Sequence, residues 1–395
     1  MTMQTTAIDA AQALAPLIRE HADQIERERC LPDPVFRGLV EADLFRLLVP
    51  RALGGAEADP LTVCRVVEAL SQVDGAAGWC VMIGTCYGLF AGLLPDEAAR
   101  EIYAGPDVVV AGAFRPNGVA QAVDGGYRVS GRWALGSGIT HSTWTLAGCR
   151  IFDGEQPRLT SSGAPELRLL FFPTADVEIV DTWHVAGLRG TGSHDYQVAD
   201  LFVPAHRACW FSQEPVQPGP LFTLPAIALF AALISSVSLG IARHAIDGLK
   251  ELSAMKKPAR SEVTLAQRPV AQAQIGEAEA LLRAGRAFLH EVVADAWQTA
   301  LQGRRLTWEQ RGLMWLAATQ AAVQASQAVD LMFRAGGASS VYSVNALERC
   351  LRDIRTAAQH VCVTPTNYEL AGQLFLGSEM EDTIWGNDSR HDAPQ

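Results

Sequence analysis

The 395-residue sequence has little charge and no run of basic residues: charged residues make up 19% and the formal net charge is −11. The absence of clustered Lys and Arg argues against nucleic acid or an anionic membrane as a partner. The eight cysteines are scattered without a Cys-x-x-Cys pair, which predicts reduced core thiols in a cytoplasmic protein. His184 and His194 lie ten residues apart with no third ligand, so we expect no metal.

Long apolar runs are also scarce. The N-terminal residues contain early acidic side chains and no uninterrupted apolar core, which argues against a secretory signal. The most apolar stretch, residues 221–245, contains a proline and several small or hydroxylated residues. Because a membrane span needs about 20 apolar residues, this composition favours a buried helix.

Hydrophobic residues make up 49% of the chain, which predicts a globular protein of two or three domains. Apolar residues recur at helical spacing up to about residue 107, as in 10–28, 32–48 and 60–75. Short alternating runs rich in Val, Phe and Trp then predict strands, with a hairpin turn at Asp124-Gly125-Gly126. Long alanine-rich helices follow. We therefore predict an α+β, mostly α, fold with domains at 1–107, 108–212 and 213–395.

The stretch LRGTGSHDYQVADLFVP (188–204) suits either a phosphate-binding loop that opens a helix or a tight turn before a strand. Strand-like sequence on both sides, and the missing third glycine, argue against the phosphate loop. We predict a turn in which Gly190 and Gly192 permit positive φ. Thr191 and Ser193 would present hydroxyls that can hydrogen-bond a planar heterocycle.

Three stretches, GGYRVSGRWALGSGITHSTW, GLRGTGSHDYQVADLFVP and LERCLRDIRTAAQH, occur in this order. Together with the three-part organisation they resemble the acyl-CoA dehydrogenase superfamily over about residues 10–380, within it the two-component, reduced-flavin-dependent monooxygenases. The resemblance implies an N-terminal helical domain, a β-barrel-like middle domain and a C-terminal four-helix bundle, assembled as a homotetramer. It also implies reduced FMN or FAD, with FMN slightly favoured, a separate flavin reductase and a small-molecule substrate.

Two departures separate this chain from the dehydrogenases that it resembles. The segment Trp133–Gly138 reads WALGSG where dehydrogenases carry Trp-x-Thr-Asn. The residues after Arg352-Asp353 offer His360 in place of a carboxylate base, and Glu369 lacks the Gly-Thr that follows that base. The sequence therefore lacks a well-placed carboxylate base to remove an α-proton from a thioester.

By the resemblance, Ser137 faces flavin N5 and stabilises a C4a-hydroperoxide, since a hydroxyl both donates and accepts without charge. His360 lies over the flavin and deprotonates the substrate, because an imidazole titrates near neutral pH. The alternatives are a backbone-capping serine and a histidine satisfied within the core. The implied cofactor-binding residues are Trp133, Ser137, Gly138, Thr191, Ser193, Gly336 and Gly337.

The substrate pocket departs from the family pattern. The hydroxylases place a histidine shortly after a Gly-Trp pair, and here that place falls to Cys86 or Tyr87. His141 is a third pocket candidate, although it would also suit a turn-stabilising role. Without the second histidine, a heteroatom-containing substrate becomes an alternative to a phenol-like aromatic one.

Two other functions stay open at this point. The first is an acyl-CoA dehydrogenase-like enzyme that oxidises an acyl thioester with tightly bound FAD. The second is a non-catalytic helical assembly protein, in which case Gly336 and Gly337 only end a helix and Trp133 only fills a core.

Overall fold

The computed structural model describes residues 3–211, 213–259 and 261–378. The chain begins with helices, which are α1 (Met3–Ala13), α2 (Ala15–Glu28), α3 (Asp33–Glu41), α4 (Pro60–Ser71), α5 (Gly75–Tyr87) and α6 (Asp96–Tyr103). Asp59 and Asp74 cap α4 and α5, since their carboxylates accept hydrogen bonds from the backbone N–H groups of Thr62 and Ala77.

Two predicted helices of this region are broken. The run 10–28 divides between α1 and α2, where Pro16 in the first turn of α2 cannot donate the backbone hydrogen bond that would continue α1. The run 32–48 ends as a helix at Glu41, because Asp43 takes a left-handed conformation with φ of 55°.

A mixed sheet follows. Its strands are β1 (Val110–Val123), β2 (Gly126–Gly136), β3 (Trp144–Asp153), β4 (Gln156–Pro157), β5 (Leu167–Pro173), β6 (Glu178–Val180), β7 (His194–Pro204) and β8 (Ala208–Cys209). The strand order is β6-β7-β2-β1-β3-β5-β8, with β4 beside β3. β1 and β3 run parallel and the other pairs antiparallel. The predicted β1–β2 hairpin is confirmed, with Val123 opposite Gly126.

The remaining helices are α7 (Ala226–Met255), α8 (Pro269–Leu301), α9 (Trp308–Gly336), α10 (Ala346–Ala357) and α11 (Thr366–Phe375). α7 packs along α9 and also against α4 and α5, so it joins the C-terminal helices to the N-terminal ones. The fold class is therefore the predicted one: N-terminal helices, a central sheet and a C-terminal helical bundle.

Two stretches, Gly75–Gly92 and Ala226–Met255, are apolar and long enough to cross a membrane, yet their most apolar windows are 100% and 83% buried inside the protein. This is the packing of core helices. Side chains on the sheet form a second, smaller core of their own, in which Trp133 stacks on Tyr196 at 5.3 Å.

Candidate active site

Ser137 lies just beyond the end of β2, where the strand loses its regular pairing. The register between β2 and β7 shifts between Trp133 and Gly136. Leu135, at φ of 67°, and Gly138, at φ of 74°, turn the backbone on either side of the serine. Leu135 is a non-glycine residue in the left-handed region, and such strain costs about 1–3 kcal/mol and clusters at functional sites. The turn delivers the Ser137 hydroxyl to the interface between the sheet and the N-terminal helices.

The Ser137 hydroxyl begins a continuous series of buried hydrogen bonds. The Trp79 indole Nε1–H donates to Ser137 Oγ at 3.0 Å. Ser137 Oγ lies 2.7 Å from Ser193 Oγ, which lies 2.6 Å from Thr191 Oγ1. Thr191 Oγ1 donates to the Leu188 carbonyl at 2.8 Å. We call the Ser137, Ser193 and Thr191 hydroxyls the hydroxyl chain.

The turn at 188–193 contains Thr191 and Ser193, two of the three residues of the hydroxyl chain. It is a short 3-10 turn that leads into β7, as the sequence predicts, and Gly192 has the expected positive φ of 51°. The prediction for Gly190 is wrong, since its φ is not positive. Gly190 is needed for space instead: a Cβ there would lie 2.1 Å from Ile25 Cγ2. The Gly138 N–H donates to the Thr191 carbonyl at 2.8 Å and ties the two turns together.

A carboxyl from the C-terminal helices fixes the start of the turn. Asp353, on α10, is buried, and its Oδ1 accepts a hydrogen bond from the Leu188 N–H at 2.6 Å. Burial, with a smaller contribution from the nearby Asp74 carboxylate, raises the pKa of Asp353 to about 7. The burial of Asp353 could not be predicted from the sequence, because its partner Leu188 lies 165 positions away along the chain.

His360 approaches the same tryptophan from the bundle side. Its ring centroid lies 6.0 Å from that of Trp79 and 5.4 Å from that of Phe230. Its Nδ1 accepts a hydrogen bond from the Cys362 N–H at 3.2 Å, and burial lowers the pKa of the ring to about 4. Because a backbone N–H can only donate, the neutral ring carries its proton on Nε2. Trp79, the tryptophan of the Gly78-Trp79 pair, thus contacts both Ser137 and His360.

A narrow cleft lies beside Ser137. It is bordered by mostly apolar side chains with two polar ones, namely Leu31, Phe45, Cys80, Ile83, Gly84, Val109, Val110, Ser137, Gly138 and His141. A Cβ built at Gly138 would meet nothing within 4 Å, so open space adjoins the serine. Apolar walls with few polar groups are typical of small-molecule sites, but the cleft itself, at about 10 Å³, has room for about one water molecule.

His141 borders this cleft, and its ring is fixed by contacts with Leu31 and Phe36. Its Nε2 is 2.8 Å from the Leu31 carbonyl, to which it donates, and its ring stacks on Phe36 at a centroid distance of 5.1 Å. Burial lowers the pKa of His141. A neutral, firmly oriented imidazole therefore borders the cleft.

Three other predicted site residues point elsewhere. Trp133 is completely buried in the sheet core, where its Nε1–H donates to the Gly148 carbonyl, so no ring face is open to a cofactor. Tyr87 is buried and donates its hydroxyl to the Gly112 carbonyl at 2.8 Å. Cys86 is buried too, and burial raises the pKa of its thiol. Both α5 side chains thus belong to the protein core, because their polar atoms are bonded or shielded there.

Gly336 and Gly337 close α9. A Cβ at Gly336 would lie 2.1 Å from Ser340 Oγ, and Gly337 has a positive φ of 56°. The Lys256 ammonium donates to the Gly336 carbonyl, which satisfies the helix end. Arg334 one turn earlier is exposed.

A dehydrogenase base is missing from this site in the described part of the chain. None of the residues that border the cleft carries a carboxylate. Glu369 lies on α11 and is exposed. The arrangement pairs hydroxyls, an indole and neutral imidazoles, which can orient and hydrogen-bond a neutral ring.

Family models, related sequences and solved structures all indicate the same family. The acyl-CoA dehydrogenase N-terminal domain matches residues 4–94 and the C-terminal domain matches residues 232–365. The chain is 32% identical to indole-3-acetate monooxygenase of Pseudomonas putida, over 94% of both chains. The crystal structure of 3-HSA hydroxylase from Rhodococcus sp. RHA1 superposes with a TM-score of 0.88 at 28% identity, covering 96% of this chain and 98% of that one. XiaF from Streptomyces sp., solved with FADH2 and glycerol, gives a TM-score of 0.88 at 28% identity, over 95% and 96% of the two chains.

Proposed function

This chain belongs to the acyl-CoA dehydrogenase family, in its branch of flavin-dependent monooxygenases, and we propose that it oxygenates a small aromatic substrate with reduced flavin and O2. One oxygen atom enters the substrate and the other leaves as water, with two electrons supplied by the reduced flavin when it is bound. The observation that carries the proposal is the Trp79 bridge, which brings a sheet hydroxyl and a bundle imidazole to one place.

The residues around the cleft have distinct proposed roles. Ser137 and Gly138 would hold the central ring of the flavin. His360 and His141 border the substrate and orient it, and the surrounding apolar side chains exclude water. Gly336 and Gly337 would approach the phosphate side of a flavin held mainly by a neighbouring subunit of a homotetramer.

The cofactor and partners follow from the same family. We propose that FADH2 is the bound form, because XiaF was solved with it; this reverses the slight preference for FMN taken from the sequence. A separate flavin reductase would supply the reduced flavin in the cytoplasm. One relative is an indole-3-acetate monooxygenase. Indole-3-acetate is therefore the first substrate to test, followed by indole, its parent ring system.

The test supplies chemically reduced FAD, ¹⁸O2 and indole-3-acetate or indole to the purified protein, and follows the products by mass spectrometry. Incorporation of one ¹⁸O atom per product molecule supports the proposal. Reduction of bound flavin by an acyl-CoA, without any reductase, would point to the dehydrogenase instead. Failure to bind either redox state of the flavin would favour a non-catalytic assembly protein.

Replacing Ser137 by Ala should uncouple the reaction. The variant loses the hydroxyl that faces the cleft, and one hydrogen bond of about 1 kcal/mol corresponds to a several-fold change in the partition between product and hydrogen peroxide. We expect hydrogen peroxide released per flavin oxidised to rise about fivefold. Ser142→Ala is the matched control, because its hydroxyl bonds to the Ile139 carbonyl and to Thr174 near the same turn. Equal peroxide yields from the parent and Ser137→Ala would contradict the assignment of Ser137.

A further inference from the structure

The hydroxyl chain contains as many short oxygen–oxygen contacts as it has protons. The contacts are Ser137–Ser193 at 2.7 Å, Ser193–Thr191 at 2.6 Å and Thr191–Leu188 carbonyl at 2.8 Å. Each contact requires one proton between its two oxygens, since two bare lone pairs at such distances repel. The three hydroxyls supply three protons. All three hydroxyl protons are therefore used in these three contacts.

The groups at the two ends fix the direction of these protons. The Trp79 indole can only donate, and the Leu188 carbonyl can only accept. Thr191 therefore donates to Leu188, Ser193 donates to Thr191, and Ser137 donates to Ser193. The reverse direction would leave the Thr191–Leu188 contact without a proton.

Because the three hydroxyls are buried, water cannot hydrogen-bond to a hydroxyl that points in the other direction. Thr191 is fully buried, Ser193 is 4% exposed and Ser137 is 6% exposed. An unpaired hydroxyl at such positions bears the full desolvation cost of a buried polar group. Ser137 is left with one unused lone pair, because the other accepts the Trp79 N–H.

We propose that Ser193 and Thr191 are positioning residues that make Ser137 an acceptor toward the cleft, so that the site selects the reduced state of the flavin. This rests on the proposed function, in which Ser137 lies opposite flavin N5. N5 carries a hydrogen in the reduced flavin and a bare lone pair in the oxidised flavin. A lone pair on Ser137 complements the first and repels the second.

Thr191 and Ser193 thus have an indirect role. Their hydroxyls do not reach the cleft, because they are occupied by each other, by Ser137 and by Leu188. They act on the flavin only through the proton direction that they impose on Ser137.

The test measures dissociation constants for oxidised FAD in air and for reduced FAD under anaerobic conditions. We expect the parent protein to bind the reduced form at least about tenfold more tightly. Ser193→Ala removes the acceptor of the Ser137 proton, which can then turn toward oxidised N5. The preference should fall about tenfold, which lowers the midpoint potential of the bound flavin by about 30 mV.

Thr191→Val is the second variant, in case Ser193→Ala does not fold. It keeps the side-chain shape and frees the Ser193 proton, so the Ser193 hydroxyl can donate back to Ser137, and the preference should fall in the same direction. Ser142→Ala, a neighbouring hydroxyl outside the chain, should leave the preference unchanged.

The outcomes separate the two proposals. If the parent binds flavin but Ser193→Ala or Thr191→Val weakens both redox states equally, the directional chain is overturned and the monooxygenase assignment stands. If the parent binds neither redox state, the proposed function fails, and the inference fails with it.

Discussion

His360 shows how one backbone contact decides what a side chain can do. A base at the substrate must accept a proton on the nitrogen that faces it. Here the Cys362 N–H occupies Nδ1, so the neutral ring offers the N–H of Nε2. With a pKa of about 4, the ring is also neutral throughout the physiological range. The geometry therefore suits a hydrogen-bond donor to a substrate oxygen better than the base that the resemblance implies.

This property of His360 can be measured by nitrogen NMR of the labelled protein. We expect the Nε2–H tautomer and a titration midpoint near pH 4, because burial disfavours the imidazolium. The spectrum of His360→Gln assigns the signal by its disappearance. A midpoint near 6.5, the ordinary value for histidine, would contradict the structure.

Among the elements, the 188–193 turn depends on close packing more than on backbone freedom. Gly190 sits against α2 and α5, where a Cβ would meet Ile25 at 2.1 Å and Ala76 at 3.0 Å. These contacts join residues more than a hundred positions apart. The sequence shows the glycine but not the neighbour that requires it.

Gly190→Ala should therefore destabilise the protein by about 1–3 kcal/mol, the usual cost of overpacking a core. It should also weaken flavin binding, because the turn carries Thr191. The matched control is Gly276→Ala on α8, where a Cβ meets nothing within 4 Å and the helix should gain about 0.5–1 kcal/mol. Chemical denaturation measures both. Equal effects of the two changes would refute the packing argument.

Local sequence patterns predicted the helices and strands better than they predicted the residues of the candidate active site. The run 167–173, LRLLFFP, is a strand, and its leucines and phenylalanines form the short continuous apolar run that is typical of a buried strand. The bundle helices were likewise predicted from patterns, and Ser137 stays a prediction from the family resemblance. Trp79 and Asp353 were missed as site residues, since their roles arise from contacts 58 and 165 positions away along the chain.

At the scale of the whole molecule, partly buried histidines contribute to the response to acid. Burial lowers the pKa values of His244, His290 and His360 to about 4 each. Their stabilising contribution is complete above pH 6.5, the unfolded value, and is lost as the pH falls toward 4. Asp353 acts in the opposite sense: with a pKa raised to about 7, its contribution is present below about pH 4 and lost as the pH rises through 7.

Five histidines have lowered pKa values, whereas two aspartates, Asp74 and Asp353, have raised ones. The melting temperature should therefore fall when the pH is lowered from about 7 to about 4.5. Asp353→Asn retains an oxygen that can accept from the Leu188 N–H but cannot ionise. It should raise the melting temperature at pH 8 more than at pH 5. Differential scanning calorimetry of both proteins across this range is the measurement, and a pH-independent melting temperature in the parent would contradict the assignment.

The bond from Asp353 to the Leu188 N–H also has a practical consequence. It links the stiffness of α10 to the position of the turn beneath the serine. Substitutions in α10 made for heat resistance should therefore be screened for flavin binding as well, because α10 holds the turn that carries Thr191.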